Sequence, residues 1–334
     1  MTAKVDPYIT IIIVARNAIE TLPECLTRIH SQTYCKSLIE ILLVDGGSVD
    51  GTIDYAKKKN VKIINGGYPH NPEARKYIGA KQANGEILVY LDTDNFLPDK
   101  NWLSRMVFPF TRADVVCSFT KWYEASYSLS NFDRYYALLG GNDPVAYYLG
   151  KHDRVPLNSC ILPYGAKLIH KEKNIEYVTF SHDKIPTLGA NGFLVKKSYF
   201  DQLNYKFPEM FSHIDAHIDL LKKNKGALYA IVSTTLIHAT GKTLLFNLKK
   251  RLLFKRTLSN SYRKYKVFDP QSKRDVLRLV LVIIRGLTIV EPLLVAFFNF
   301  YKTRRIEWLL HPVALFSMVC IYGYSVLTSI QDKR

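Results

Sequence analysis

The chain has no Cys-x-x-Cys pair. Its five cysteines, Cys25, Cys35, Cys117, Cys160 and Cys320, are odd in number and far apart, which excludes a zinc or dithiol redox motif and predicts reduced, inert thiols. A charged-then-apolar leader with a small-residue cleavage site is also missing, since Met1-Thr2-Ala3-Lys4-Val5-Asp6-Pro7 runs directly into a strand. The folded part is therefore expected to stay in the cytoplasm. Acidic residues are almost absent from Gly241 to Arg274, where eleven Lys or Arg face the single Asp269. From Trp308 to Ile330, 23 residues contain no Asp, Glu, Lys or Arg, which predicts a transmembrane helix.

What is present is an ordered chain. With 334 residues, 48% hydrophobic and 22% charged, it can bury an α/β domain and something more. The net charge of +17 is concentrated beside the apolar tail and away from any nucleic-acid recognition motif, so an anionic membrane surface accounts for it and a nucleic-acid partner is not expected. Lys249, Lys250, Arg251, Lys255 and Arg256 alternate with leucines and phenylalanines, the pattern of a basic amphipathic segment at a membrane. A second apolar stretch, Val276 to Tyr301, is long enough to span but carries Arg278, Arg285, Glu291 and Pro292.

The first part of the chain reads as strand–helix repeats. Ile9 to Val14 is a six-residue apolar and β-branched run, Ile39 to Val44 reads as a second strand, and Ile87 to Leu91 is apolar without a break, which suits a strand buried on both faces of a parallel sheet. Each ends in polar residues: Ala15-Arg16-Asn17, Asp45-Gly46-Gly47-Ser48 and Asp92-Thr93-Asp94-Asn95. Right-handed crossovers place these exits along one sheet edge, where ligands of open α/β sheets bind. Leu22, Cys25, Leu26 and Ile29 predict a helix between the first two strands; Ser48 or Asp50 is expected to cap the next one. Asn71-Pro72 predicts another helix start, with Arg75 in its first turn. In an extended chain Asp92 and Asp94 point the same way and can share one hard cation; the alternative is a polar turn closing the strand. The aromatic stretch from Lys121 to Leu149 reads either as core or as a platform for an acceptor.

The ordered set Ala15-Arg16-Asn17, Val44-Asp45-Gly46-Gly47-Ser48-x-Asp50-Gly51-Thr52, Ala74-Arg75 and Asp92-Thr93-Asp94 resembles family 2 glycosyltransferases. The resemblance implies an α/β GT-A fold (Rossmann-like, mostly parallel sheet) over residues 1–240, to which the charge and apolar patterns add a basic amphipathic segment over 241–274 and a hydrophobic anchor of one or two transmembrane helices over 275–334. It also implies inverting transfer from a nucleotide-diphosphate sugar to a membrane-associated, polyprenyl-linked acceptor, with Mg²⁺ or Mn²⁺. Under it Asp45 corresponds to a carboxylate on the nucleotide base or ribose and Arg75 to a basic residue near the donor. Ala15, Arg16, Asn17, Gly47, Ser48, Asp92, Thr93 and Asn191 complete the implied donor set. Asp94 corresponds to the principal metal ligand, assisted by Asp92 and by His238, which reads equally as structural. In Phe211-Ser212-His213-Ile214-Asp215-Ala216-His217-Ile218-Asp219, Asp215 corresponds to the catalytic base, with Asp219 its rival. A non-catalytic nucleotide-sugar-binding scaffold is the alternative. A processive synthase is not implied, because Gln271-Ser272-Lys273-Arg274 is followed by Asp275 instead of completing Gln-x-x-Arg-Trp.

Overall fold

The computed structural model of the chain describes residues 6–241, 243–258, 264–265 and 271–331, with the side chains at 253–258 and 325–331 outside that description. Three repeats open the chain: β1 (Ile9–Ala15), α1 (Leu22–His30), β2 (Ile39–Asp45), α2 (Thr52–Lys57), β3 (Lys62–Asn65), α3 (Pro72–Gln82) and β4 (Ile87–Asp92). Next come β5 (Asn95–Phe96), α4 (Trp102–Val107), β6 (Val115–Tyr123), α5 (Asn131–Leu139) and α6 (Pro144–Tyr148). The middle holds β7 (Lys167–Glu172), β8 (Ile175–Thr179), β9 (Phe193–Lys196), α7 (Lys197–Phe200), α8 (His213–Lys223) and β10 (Leu228–His238). Four helices close it: α9 (Leu244–Leu258), α10 (Lys273–Thr288), α11 (Val290–Thr303) and α12 (His311–Gln331).

These elements form two compact units, residues 1–122 with 165–238, and residues 123–164 with 239–334. The aromatic segment at 123–164 groups with residues 239–334 in the second unit.

In the first unit the strand order is β3-β2-β1-β4-β9-β6-β10-β8-β7, with β5 on β10. Every residue of β1 is buried, Thr10 included among its apolar and β-branched neighbours. α1 buries the four residues its spacing marks, Leu22, Cys25, Leu26 and Ile29. β3, β2, β1 and β4 pair in parallel, while β9 is antiparallel to both β4 and β6 and β10 is antiparallel to β8. The sheet is therefore mixed, where a mostly parallel one was expected. β9 enters antiparallel between β4 and β6, which run in the same direction.

In the second unit α12 is a core helix. Its Leu315, Met318 and Val319 pack with Val145 and Leu149 of the α6 region and with Val282 of α10. At Gly286 any side chain would meet Val319, since a Cβ there lies 2.7 Å from Val319 Cγ2, so glycine permits the close α10–α12 crossing. The stretch Ile306–Tyr324 is long and apolar enough to cross a membrane, and 39% of it is buried inside the protein. Val276 to Tyr301 is not one helix: α10 and α11 meet at 83°. The break follows from Pro292, whose ring excludes the carbonyl of Thr288 from helical geometry. On α9, Lys249 and Lys250 are exposed while Arg251 Nη2 donates to Asn142 Oδ1 at 2.6 Å. The side chains of Lys255 and Arg256, and Asp269, lie outside the described residues.

Candidate active site

Parallel pairing brings the three polar exits into register: Ala15 lies opposite Asp45, and Val14 opposite Asp92. Asp45 is buried and acts on its own loop, accepting from Gly47 N at 2.7 Å, Ser48 N at 2.9 Å and Ser48 Oγ at 2.5 Å. Gly47 adopts φ 88°, a left-handed conformation that glycine takes without steric cost. Asn17, also left-handed at φ 50°, ties the first exit to the second: its N–H donates to Ser48 Oγ, and its side-chain oxygen accepts from Val49 N. Neither Ser48 nor Asp50 caps α2. Gly51 holds the cap position at φ 91°, leaving Asp50 to accept from Ile19 N and from Thr52 N and Oγ1.

Arg16 is exposed, with Nη1 on Pro69 O at 3.2 Å. Asn71 caps α3 through Glu73 N and Ala74 N, with Pro72 following, and Arg75 falls in the first turn as expected. The Arg75 guanidinium is buried, donates from Nη1 to Tyr68 O at 2.8 Å, and leaves Nε without a partner. Burial pulls its pKa down against the opposing pull of Asp92 and Asp45. A buried cation with an unused donor beside two carboxylates is suited to an anionic ligand.

Asp92 and Asp94 have different partners. β4 ends at Asp92 and the chain turns through Thr93 and Asp94, so strand alternation no longer aligns them. Asp92 Oδ1 lies 3.3 Å from Lys76 Nζ, which is itself 3.3 Å from Glu73 Oε1. Thr93 stands half-buried between the two carboxylates. Asp94 accepts from Asn95 Nδ2 at 3.2 Å and lies 3.7 Å from His238 Nε2. The β5–β10 pairing, which sets His238 opposite Asn95, brings this histidine in. Asn95 is fully buried and its Oδ1 also accepts from Asp92 N at 3.0 Å, so one side chain fixes both acidic positions.

Antiparallel pairing of β9 on β4 sets Phe193 opposite Tyr90, so the turn before β9, with Asn191, falls at the same edge. Asp215 lies buried in the first turn of α8. The start of that helix is pinned to the start of α3, where Glu73 Oε2 accepts from His213 N at 2.8 Å and faces His213 Nδ1 at 2.6 Å. Asp219, one turn on, accepts from Tyr205 Oη at 2.8 Å.

Sequence reasoning missed Glu73, Lys76, His213 and the bridging role of Asn95. Burial would raise the Glu73 carboxyl, but His213 and Lys76 beside it hold it well below the usual range. For Lys76 burial acts downward, and Asp92 and Glu73 outweigh it and push the ammonium up. Removing one member of such a buried cluster strands the others. Lys76→Ala should therefore cost about 3–5 kcal/mol in chemical denaturation; an unchanged midpoint would show that Asp92 and Glu73 find other compensation.

Carboxylates at the sheet edge with a desolvated arginine beside them form a site suited to an anionic ligand. The family model for glycosyl transferase family 2 matches residues 10–177, half of the chain, and the protein belongs to that family. Glycosyltransferase AglE of Haloferax volcanii is 37% identical over 106 residues, 30% of this chain and 34% of that protein. The Methanococcus voltae dolichyl N-acetyl-alpha-D-glucosaminyl phosphate 3-beta-D-2,3-diacetamido-2,3-dideoxy-beta-D-glucuronosyltransferase is 29% identical over 117 residues, 31% of this chain and 34% of that protein. These matches span about a third of the relatives' lengths. Among solved structures, the mannosyltransferase PcManGT from Pyrobaculum calidifontis, in complex with GDP-Man and Mn²⁺, superposes with a TM-score of 0.54 at 13% identity, over 99% of this chain and 89% of that one, a likeness of fold.

Proposed function

We propose that the protein is a membrane-associated, metal-dependent inverting glycosyltransferase. It moves a sugar from a nucleotide-diphosphate donor to a hydroxyl of a lipid-linked acceptor at the cytoplasmic face. The observation that carries this reading is the placement of Asp45, Arg75 and Asp94 with His238 at the ends of neighbouring strands, and it is supported by Asp215 on helix α8, whose start is tied to the start of α3 through Glu73.

Asp45 and its loop hold the nucleoside end of the donor, and Arg75 faces the diphosphate. Asn191 lies beside the transferred sugar. Among the described residues no group of three or more His, Cys, Asp or Glu could hold a metal. The pair Asp94 and His238 nevertheless suits Mg²⁺ or Mn²⁺, since such ions in phosphate sites take one or two protein ligands and complete their shell with substrate oxygens and water. A cation held there would offset the charge developing on the leaving diphosphate. Asp92 is engaged by Lys76 and serves the donor rather than the metal. Asp215 takes the proton from the acceptor hydroxyl as that oxygen attacks the anomeric carbon opposite the leaving group. The Mn²⁺ in the Pyrobaculum complex and the dolichyl phosphate in the name of the Methanococcus relative support the cation and the lipid-linked acceptor, respectively.

A donor screen with detergent-purified full chain tests the proposal: one nucleotide sugar should release its nucleoside diphosphate with Mg²⁺ or Mn²⁺ and not with EDTA. Donor that binds but is never consumed would instead favour the scaffold. A finer test concerns Gly46, where a Cβ would lie 2.2 Å from Arg75 Nη1. Gly46→Ala should displace the guanidinium and raise the donor KM by roughly tenfold, the loss of one charge-assisted contact. An unaltered KM would remove Arg75 from the donor site.

A further inference from the structure

α11 is inverted relative to a helix of a water-soluble protein. The residues it buries are Pro292 and Ala296, while Leu294, Phe297 and Phe298 are 65, 58 and 66% exposed. α10 does the same, burying Val282 and Gly286 and exposing Leu277, Ile284 and Leu287. Exposed lysines and arginines close both ends of the pair, Lys273 and Arg274 in the first turn of α10, Lys302 and Arg304 at the end of α11. A wide apolar surface with a basic rim is complementary to an anionic lipid leaflet. Neither helix can cross one. Their 16 and 14 residues reach roughly 24 and 21 Å against a hydrocarbon core of about 30 Å, and the 83° bend keeps them from acting as one rod.

α12 is long enough to cross, but it is tethered along its length. The His311 ring lies 2.8 Å from Tyr135 Oη through Nδ1 and 2.9 Å from Tyr148 Oη through Nε2, and Tyr148 Oη donates to Glu291 at 2.8 Å. Eleven residues further on, roughly 16 Å along the axis, Tyr322 Oη donates to Asp143. Asp143 also caps α6 and lies 3.9 Å from Arg251. Just before α12, the buried Glu307 accepts from Arg134. Were α12 to span, the segment from Arg134 to Tyr148, with Asp143 and Arg251, would be carried into hydrocarbon beside it, where charged groups are costly.

We infer that the tail is a monotopic membrane platform. α10, α11 and the outward face of α12, with Val313 and Phe316, insert into one anionic leaflet, and the chain does not cross the bilayer. The inference deepens the membrane-association part of the proposed function and is independent of the sugar chemistry. Two measurements on the full chain test it. Flotation with mixed phosphatidylcholine–phosphatidylglycerol vesicles should recover the protein with the lipid, and the double variant Phe297→Glu, Phe298→Glu should weaken that partition at least roughly tenfold, since two large apolar side chains no longer leave water. In sealed inside-out membrane vesicles from expressing cells, protease sites appended at the two termini should both be cut from the outside. Failure to float would overturn membrane association itself, whether the chain is then monomeric or a dimer through the apolar face. Flotation with the two termini on opposite sides would overturn the monotopic arrangement alone and restore a span.

Discussion

Asp94→Ala is expected to abolish sugar transfer, by at least roughly 10²–10³-fold in kcat, with little change in thermal stability. Asp94 is partly exposed, with 28% of its side chain accessible, and stands on a turn beyond the end of β4, so its removal leaves no cavity in the core. What is lost is the carboxylate facing His238 at 3.7 Å, the pair proposed above to hold the cation. Chelation of the wild type should give the same phenotype. A variant that keeps full turnover in excess chelator would remove the metal from this site. Asn95 sharpens the test, because its amide holds the Asp94 carboxylate: Asn95→Ala should lower activity in the same direction with Asp94 still present.

The second large effect is expected at Asp215. Asp215→Asn preserves shape and removes the proton acceptor, so turnover should fall by about 10²–10⁴-fold while donor affinity is retained. Asp219→Asn should do far less, because that carboxylate is engaged by Tyr205 one turn further along α8. Reversal of the two effects would put the base at 219.

Three strands were legible because burial leaves Ile87 to Leu91 wholly apolar, and leaves Ile9 to Val14 and Ile39 to Val44 apolar except for Thr10 and Glu40. The α3 start was legible from Asn71-Pro72, where side-chain capping and a fixed φ act locally. What is not local was not legible. The antiparallel half of the sheet depends on strands such as β10, whose Ser233-Thr234-Thr235 interrupts the apolar pattern although pairing continues to His238. Glu73 and Lys76, three apart on a polar helix, read as a solvated pair, and only the fold buries them against Asp92 and His213. The separation of Asp92 from Asp94 arises from a turn that begins one residue earlier than an extended reading assumes. In the tail, the apolar content of 308–330 was plain, but nothing in it announces that His311 and Tyr322 bond to residues far earlier in the chain.

The most direct test of the account is a transfer assay with the full chain, a nucleotide sugar labelled in the sugar, Mn²⁺ or Mg²⁺ and a polyprenyl-phosphate-linked acceptor. The account predicts label in the lipid phase, an equal amount of nucleoside diphosphate in water, inverted configuration at the new linkage, and neither product from Asp94→Ala or Asp215→Asn. Donor bound to the wild type and recovered intact, with no label in the lipid across the donor panel, would contradict it.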